Sequence, residues 1–232
     1  MSKDLVLITG ATGYVGFEHV NQLKRTPTIQ KYVNDVDFVL VSYMRESDAF
    51  KEAIKGVSGV IHVASPIPIE TNGDSDWQKT FLRSDQGTLN MFSAAAKELS
   101  VKRIVITSTS TMTEYDSPGR TGPLDIISLP DVETVKRAGS SYAAYRHSKA
   151  MAYYALLELI ETENPQFDVV HVLLGYIQGV NELYTSPEDM TDPDRCGSNN
   201  GTMLTARDMY QKSLASRRKF AFTTSQDLAF LR

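Results

Sequence analysis

The stretch Leu5-Val6-Leu7-Ile8-Thr9-Gly10-Ala11-Thr12-Gly13-Tyr14-Val15-Gly16 constrains this chain more than any other. Four apolar residues behind the charged Lys3 and Asp4 predict a strand buried on both faces, the habit of parallel sheets. Glycines follow at every third position, and from Tyr14 to Lys24 the pattern has helical spacing. A strand, a glycine turn and a helix in that order let the backbone approach a pyrophosphate closely. They also aim the helix N-terminal N–H groups and dipole at it. Glycine serves ligand-free turns as well, but here all three parts fall where a dinucleotide site needs them. The spacing is Gly-x-x-Gly-x-x-Gly, not the commoner Gly-x-Gly-x-x-Gly.

Further buried runs continue the pattern. Asp37 to Ser42 reads as a strand, and Asp48 caps a short helix over Ala49 to Lys55 that stops at Gly56. Gly59 to Ala64 is the next strand, Ser84 to Leu99 a helix, and Arg103 to Thr107 a strand running into Ser108-Thr109-Ser110-Thr111. Tyr142 to Ile160 then reads as a helix and Phe167 to Leu174 as a strand. Strands alternating with helices of this length predict an α/β fold, a doubly wound parallel sheet of the Rossmann type. After Gly175 the chain is rich in Asn, Asp, Pro and Ser and shows no clear buried strand. The expected organisation is a nucleotide-binding domain over 1–175 and a reduced substrate-side region over 176–232.

Composition narrows the class. With 232 residues, 41% of them hydrophobic, the chain can bury one proper α/β core. A net charge of −4 gives no electrostatic case for nucleic acid or an anionic membrane. The single cysteine, Cys196, excludes an internal disulfide and fits a reducing compartment. With no cleavable apolar segment at the start and no membrane-length apolar run, a cytoplasmic location is expected. His19, His62, His147 and His171 are scattered without ligand spacing, so no metal site is expected. His62, inside an apolar strand, reads as a hydrogen-bonded core histidine.

Two later stretches carry chemistry. In Tyr145-Arg146-His147-Ser148-Lys149, positions i and i+4 share one helix face, bringing phenol and ammonium into one site. A nearby ammonium favours the phenolate and makes tyrosine a usable proton donor to a carbonyl oxygen near neutral pH. A Tyr and a Lys four apart are weak evidence alone; downstream of a dinucleotide turn they weigh more. The hydroxyls of Thr107 to Thr111 stand at the carboxyl end of a strand, where parallel sheets bind ligands. The same small polar residues also serve plain turns.

Taken in this order, the signals resemble the extended short-chain dehydrogenase/reductases, and most of all the dihydroflavonol-4-reductase-like ketoreductases of fungal type. Gly59-Val60-Ile61-His62-Val63-Ala64-Ser65-Pro66, Gly87-Thr88-Leu89-Asn90, Val101 to Ser108 and Ala143 to Ala150 carry the likeness, which runs from about Leu5 to Leu183. The resemblance implies NADP-dependent reduction of an aldehyde or ketone, such as a secondary-metabolite intermediate. It makes Tyr145 the acid and Lys149 its tuner and ribose anchor. The family's active-site serine falls on Thr109, with Ser108 and Ser110 as alternatives. Gly10, Gly13 and Gly16, with Tyr14 and Val15 beside them, would hold the pyrophosphate, and Ala64 and Ser65 would line the nucleotide crevice. A monomer or a homodimer paired through the two long helices would fit the same family.

The chain departs from that pattern in three places. One strand, not two, is legible between the glycine turn and Gly59. If Phe38 to Ser42 is the family's third strand, Tyr43 stands where an aspartate approaches the adenine. If it is the second, Arg45 is placed to pair with a 2′-phosphate. The family's proline beside the nicotinamide is replaced by Leu174-Gly175-Tyr176, and the tail after Thr205 does not resemble the family. NADP is the expected cofactor from the family's habit. Two other readings remain: an epimerase or dehydratase holding NAD tightly, and a nucleotide-binding relative without catalysis.

Overall fold

The computed structural model describes residues 4–11, 13, 15–16, 37–65, 85–113, 125–128, 141–178 and 222–224. Strand β1 (Val6–Thr9), β2 (Gly59–His62), helix α1 (Asp85–Ala96), β3 (Arg103–Thr109), helix α2 (Ser141–Glu163) and β4 (Asp168–Leu174) follow in chain order. Two short strands, β5 (Tyr176–Gln178) and β6 (Phe222–Thr224), pair in parallel with each other. The main sheet has the order β1-β2-β3-β4. β1 pairs in parallel with β2, Val6 against Gly59 and Thr9 against His62, and β2 pairs in parallel with β3, Gly59 against Arg103. Parallel neighbours cannot be joined by a tight hairpin and need crossover connections, and α1 lies in the one between β2 and β3.

The chain divides into two compact units. One holds residues 1–9 and 38–173; the other holds 10–37 and 174–232. In the first unit the core gathers Phe50, Ile54 and Val57 with Val60 of β2, Met91, Phe92 and Ala95 of α1, Ile104 and Ile106 of β3, Leu156 of α2, and Phe167. Phe92 and Phe167 meet edge to face with centroids 5.4 Å apart, an arrangement the ring quadrupoles favour. α1 packs on α2. It ends in tightened turns, with Lys97 N–H on Ala94 O and Glu98 N–H on Ala95 O. α2 ends at Asn164, whose φ of +42° and N–H bond to Ile160 O close its last turn. No described helix is long and apolar enough to cross a membrane.

The structure differs from the sequence reading in three places, one of them beyond Gly175, where no clear strand was expected and the short strands β5 and β6 form. Residues 37–42 form no ladder among the described residues. Phe38, Val39 and Leu40 are exposed to 75, 59 and 89%, so an apolar run that looked like a buried strand has neither face covered. The expected helix over Ala49 to Lys55 is instead a chain of turns mixing three- and four-residue hydrogen bonds, such as Lys51 N–H on Asp48 O and Ile54 N–H on Phe50 O. Asp48 has φ +62°, which takes it out of the extended conformation an N-cap needs. The amphipathic pattern still succeeds: Phe50, Ile54 and Val57 are buried, and Gly56, with φ +71°, ends the segment as expected.

Candidate active site

The glycine turn follows β1 with no residue between them. Gly13 N–H donates to Gly10 O at 2.9 Å, and Gly10 adopts φ +71°, a left-handed conformation that glycine takes without strain. Gly16 backs onto the same carbonyl: a Cβ on it would sit far inside contact distance of Gly10 O and 2.7 Å from Gly10 C. Val15 and Gly16 begin a helical turn. Tyr14, expected beside the pyrophosphate, lies outside the described residues.

In the first unit, the carboxyl end of β2 is held by a hydroxyl that the sequence reading passed over. Thr9 Oγ1 accepts the N–H groups of Val63 and Ala64, each at 3.2 Å. Its own proton is thereby directed to His62 Nδ1, 2.9 Å away, and the other ring nitrogen meets Thr88 Oγ1 at 3.2 Å. This network assigns the Nε2–H tautomer to His62. Burial, and to a smaller extent the Lys149 cation, push the His62 pKa down to about 3, so the ring is neutral. The core-histidine reading thus holds, and His62 fixes the backbone that leads into Ala64 and Ser65.

α2 brings Lys149 to that strand end, where its ammonium donates to Ser65 Oγ. The same nitrogen stands over the Tyr145 ring, 5.7 Å from its centroid. Burial lowers the Lys149 pKa to about 8. Ser148 is buried between them in sequence and donates back to Tyr145 O at 2.8 Å, consolidating this turn of the helix. Lys149, Ser65 and Tyr145 are therefore brought together, and Ala64 shares a small cavity with Lys149.

Thr109 sits at the end of β3 and caps a 3-10 turn over Ser110–Met112, its Oγ1 accepting Thr111 N–H at 3.2 Å. Ser108, its neighbour, donates to Met112 Sδ at 3.5 Å. Arg146 grips this turn from α2, donating through Nε to Thr111 O and through Nη2 to Thr113 O at 2.9 Å. The residue next to Tyr145 thus ties the helix to the strand end that bears Thr109. Sequence reasoning missed Arg146, Thr9, Thr88 and Ser148. Only Thr9, directly ahead of the first glycine, had a position that pointed to it.

The depressed Lys149 pKa has a consequence for stability. An unfolded lysine titrates near 10.4, so between about 8 and that value the unfolded chain holds the extra proton, and stability rises with pH. Below about 8 both states are protonated and the full cost of the buried cation is present. Denaturant unfolding at pH 7.5 and pH 10 is expected to show a gain on the order of 2–3 kcal/mol from this group. Lys149→Met is expected to remove that part of the pH dependence; an unchanged slope would contradict the buried cation.

Known proteins resemble the chain along most of its length. Ketoreductase adrE of Penicillium roqueforti is 30% identical over 218 residues, which is 78% of this chain and 64% of that protein. Ketoreductase CTB6 of Cercospora beticola is 29% identical over 221 residues, 82% of this chain and 61% of that protein. The chain therefore spans less than two thirds of the length of these relatives. Among solved structures, Gre2 of Candida albicans in complex with NADPH aligns with a TM-score of 0.62 at 19% identity, covering 81% of this chain and 64% of that one. That likeness is one of fold, and the fold is the Rossmann type. The family model described as "NAD dependent epimerase/dehydratase family" matches residues 6–181, and the chain belongs to that family.

Proposed function

We propose that the chain is the nucleotide-binding and catalytic part of an NADP-dependent reductase acting on small aldehydes or ketones. The observation that carries this reading is the Lys149 ammonium held between Ser65 Oγ and the Tyr145 ring. A buried cation next to a tyrosine, at a strand end of a parallel sheet, suits the protonation of a carbonyl being reduced. The two ketoreductases named above support the same chemistry.

The residues present fit a dinucleotide. Gly16 leaves only backbone where a Cβ would collide, the kind of cradle a pyrophosphate requires. Gly10, Gly13, Val15 and Gly16 would hold the phosphates, and Ala64, Ser65 and Lys149 the nicotinamide riboside. When bound, the cofactor supplies the hydride. Tyr145 delivers a proton to the substrate oxygen as negative charge develops there, and Lys149 stabilises the tyrosinate left behind. Thr109 orients the carbonyl through its hydroxyl, which accepts from Thr111 N–H and shares a second hydrogen bond with the Thr111 hydroxyl at 3.1 Å. In this reading residues 1–175 form the dinucleotide domain and 176–232 belong to the substrate side.

The test is titration of the protein with NADPH and with NADH, followed by cofactor fluorescence, then a panel of aldehydes and ketones. NADPH is expected to bind at least about tenfold more tightly, a difference of roughly 1.4 kcal/mol. Preference for NADH would favour epimerase or dehydratase chemistry instead. Binding of neither would overturn the reading.

A further inference from the structure

Lys149 lines a cavity of about 20 Å³ to which β2, β3, β4, α1 and α2 all contribute. Its polar lining comprises His62, Thr88, Thr107, Ser108, Lys149, Tyr153 and His171; no carboxylate is among its lining residues. His171, from β4, packs edge-on against Tyr153 with ring centroids 5.0 Å apart. Both its ring nitrogens are buried, and neither meets a hydrogen-bond partner among the described residues. A buried imidazole without partners forfeits the hydrogen bonds it made to water, so strands do not carry one without cause. The volume suits one water, which needs about 10–15 Å³ and two to four polar neighbours.

We infer that this cavity is a binding site for a single ordered water that links His171 to the Lys149 ammonium. His171 is then a positioning residue: it holds Lys149 through the water, in addition to the bond from Lys149 to Ser65. The water accepts a hydrogen bond from Lys149 Nζ and donates one to the unprotonated nitrogen of His171. The neutral ring is required as acceptor, and burial supplies it by lowering the His171 pKa to about 4. His62 cannot play this part, because both its nitrogens are already engaged by Thr9 and Thr88. Tyr145, over whose ring Lys149 stands, and Tyr153, which lines the cavity, are the titratable groups that α2 places beside Lys149. The functional weight of the site rests on the role proposed for Lys149 above.

The test is the titration of Lys149 in protein carrying ¹³C at the lysine Cε, with Lys149→Arg as the spectral blank. Losing the acceptor in His171→Leu is expected to lower the Lys149 midpoint by about one unit, a tenfold change in proton affinity. His171→Asn, which retains an acceptor, is expected to stay near the parent value. A Leu variant with an unmoved midpoint, or an Asn variant shifted as far as Leu, would overturn the inference. The unmodified protein offers a second measurement if the Leu variant does not fold: a long-lived water should give magnetisation transfer to the His171 ring protons. Its absence would also overturn the site. Neither measurement requires nucleotide, so a failure of NADPH to bind would sink the proposed function and leave this result standing.

Discussion

Tyr145→Phe is expected to lower kcat for carbonyl reduction by about 10²–10⁴-fold, the range a positioned general acid contributes. The substitution keeps the aromatic ring over which Lys149 stands, so the ammonium retains its place between that ring and Ser65. Ser148 and Arg146, which fix this turn of α2 and tie it to the end of β3, are untouched. NADPH affinity is therefore expected to stay within about threefold of the parent, equivalent to less than 1 kcal/mol. Steady-state kinetics on the best carbonyl substrate, paired with fluorescence titration of NADPH, separates the two quantities. A variant that kept more than a tenth of the parent kcat would remove Tyr145 from the acid role. Equal losses in nucleotide binding and turnover would point to a damaged helix rather than a missing proton donor.

What the sequence revealed, and what it hid, follows from the range over which each signal acts. β1, β2, β3, β4 and the two helices were legible because each is a local pattern, an apolar run or a helical period bounded by polar residues. The family likewise followed from short motifs, the glycine turn and the Tyr145/Lys149 pair, whose spacing is fixed by one turn or one helix face. Residues 37–42 misled because an apolar run shows only that a strand can be buried, while a ladder also needs a neighbour. Asp48 misled because its side chain suits a cap but its backbone turns left-handed.

The site was legible to the same depth. Lys149 and Ser65 are 84 positions apart, and nothing local in either stretch announces their hydrogen bond. The same holds for Thr9 with Val63 and Ala64, and for Arg146 with Thr111 and Thr113. These are supporting contacts made by the sheet register, in which Thr9 lies level with His62. Thr109 was chosen as a substrate-facing hydroxyl. The structure adds that it caps a turn and shares a hydrogen bond with the Thr111 hydroxyl, so part of its hydrogen-bonding capacity is already engaged.

Gly16→Ala is expected to weaken NADPH binding by at least about 100-fold, or some 2.7 kcal/mol. The added methyl would lie far inside contact distance of Gly10 O, 2.7 Å from Gly10 C and 3.0 Å from Ala11 Cα. All three are backbone atoms, so no side chain can rotate to make room, and the turn itself must open. Gly10 O is also the acceptor for Gly13 N–H, so moving it breaks the bond that closes the turn. Gly13→Ala provides the graded control. Its methyl would stand 3.3 Å from Gly10 O, a crowding that a shift of a few tenths of an ångström relieves, and a loss of only a few-fold is expected. The core of Phe50, Met91, Phe92, Ile104 and Leu156 draws nothing from these glycines, so thermal unfolding of both variants should stay close to the parent. Fluorescence titration then reads the turn alone. If Gly16→Ala bound NADPH like the parent protein, the pyrophosphate would have to sit elsewhere, and the assignment of the Gly10–Gly16 turn would fall with it.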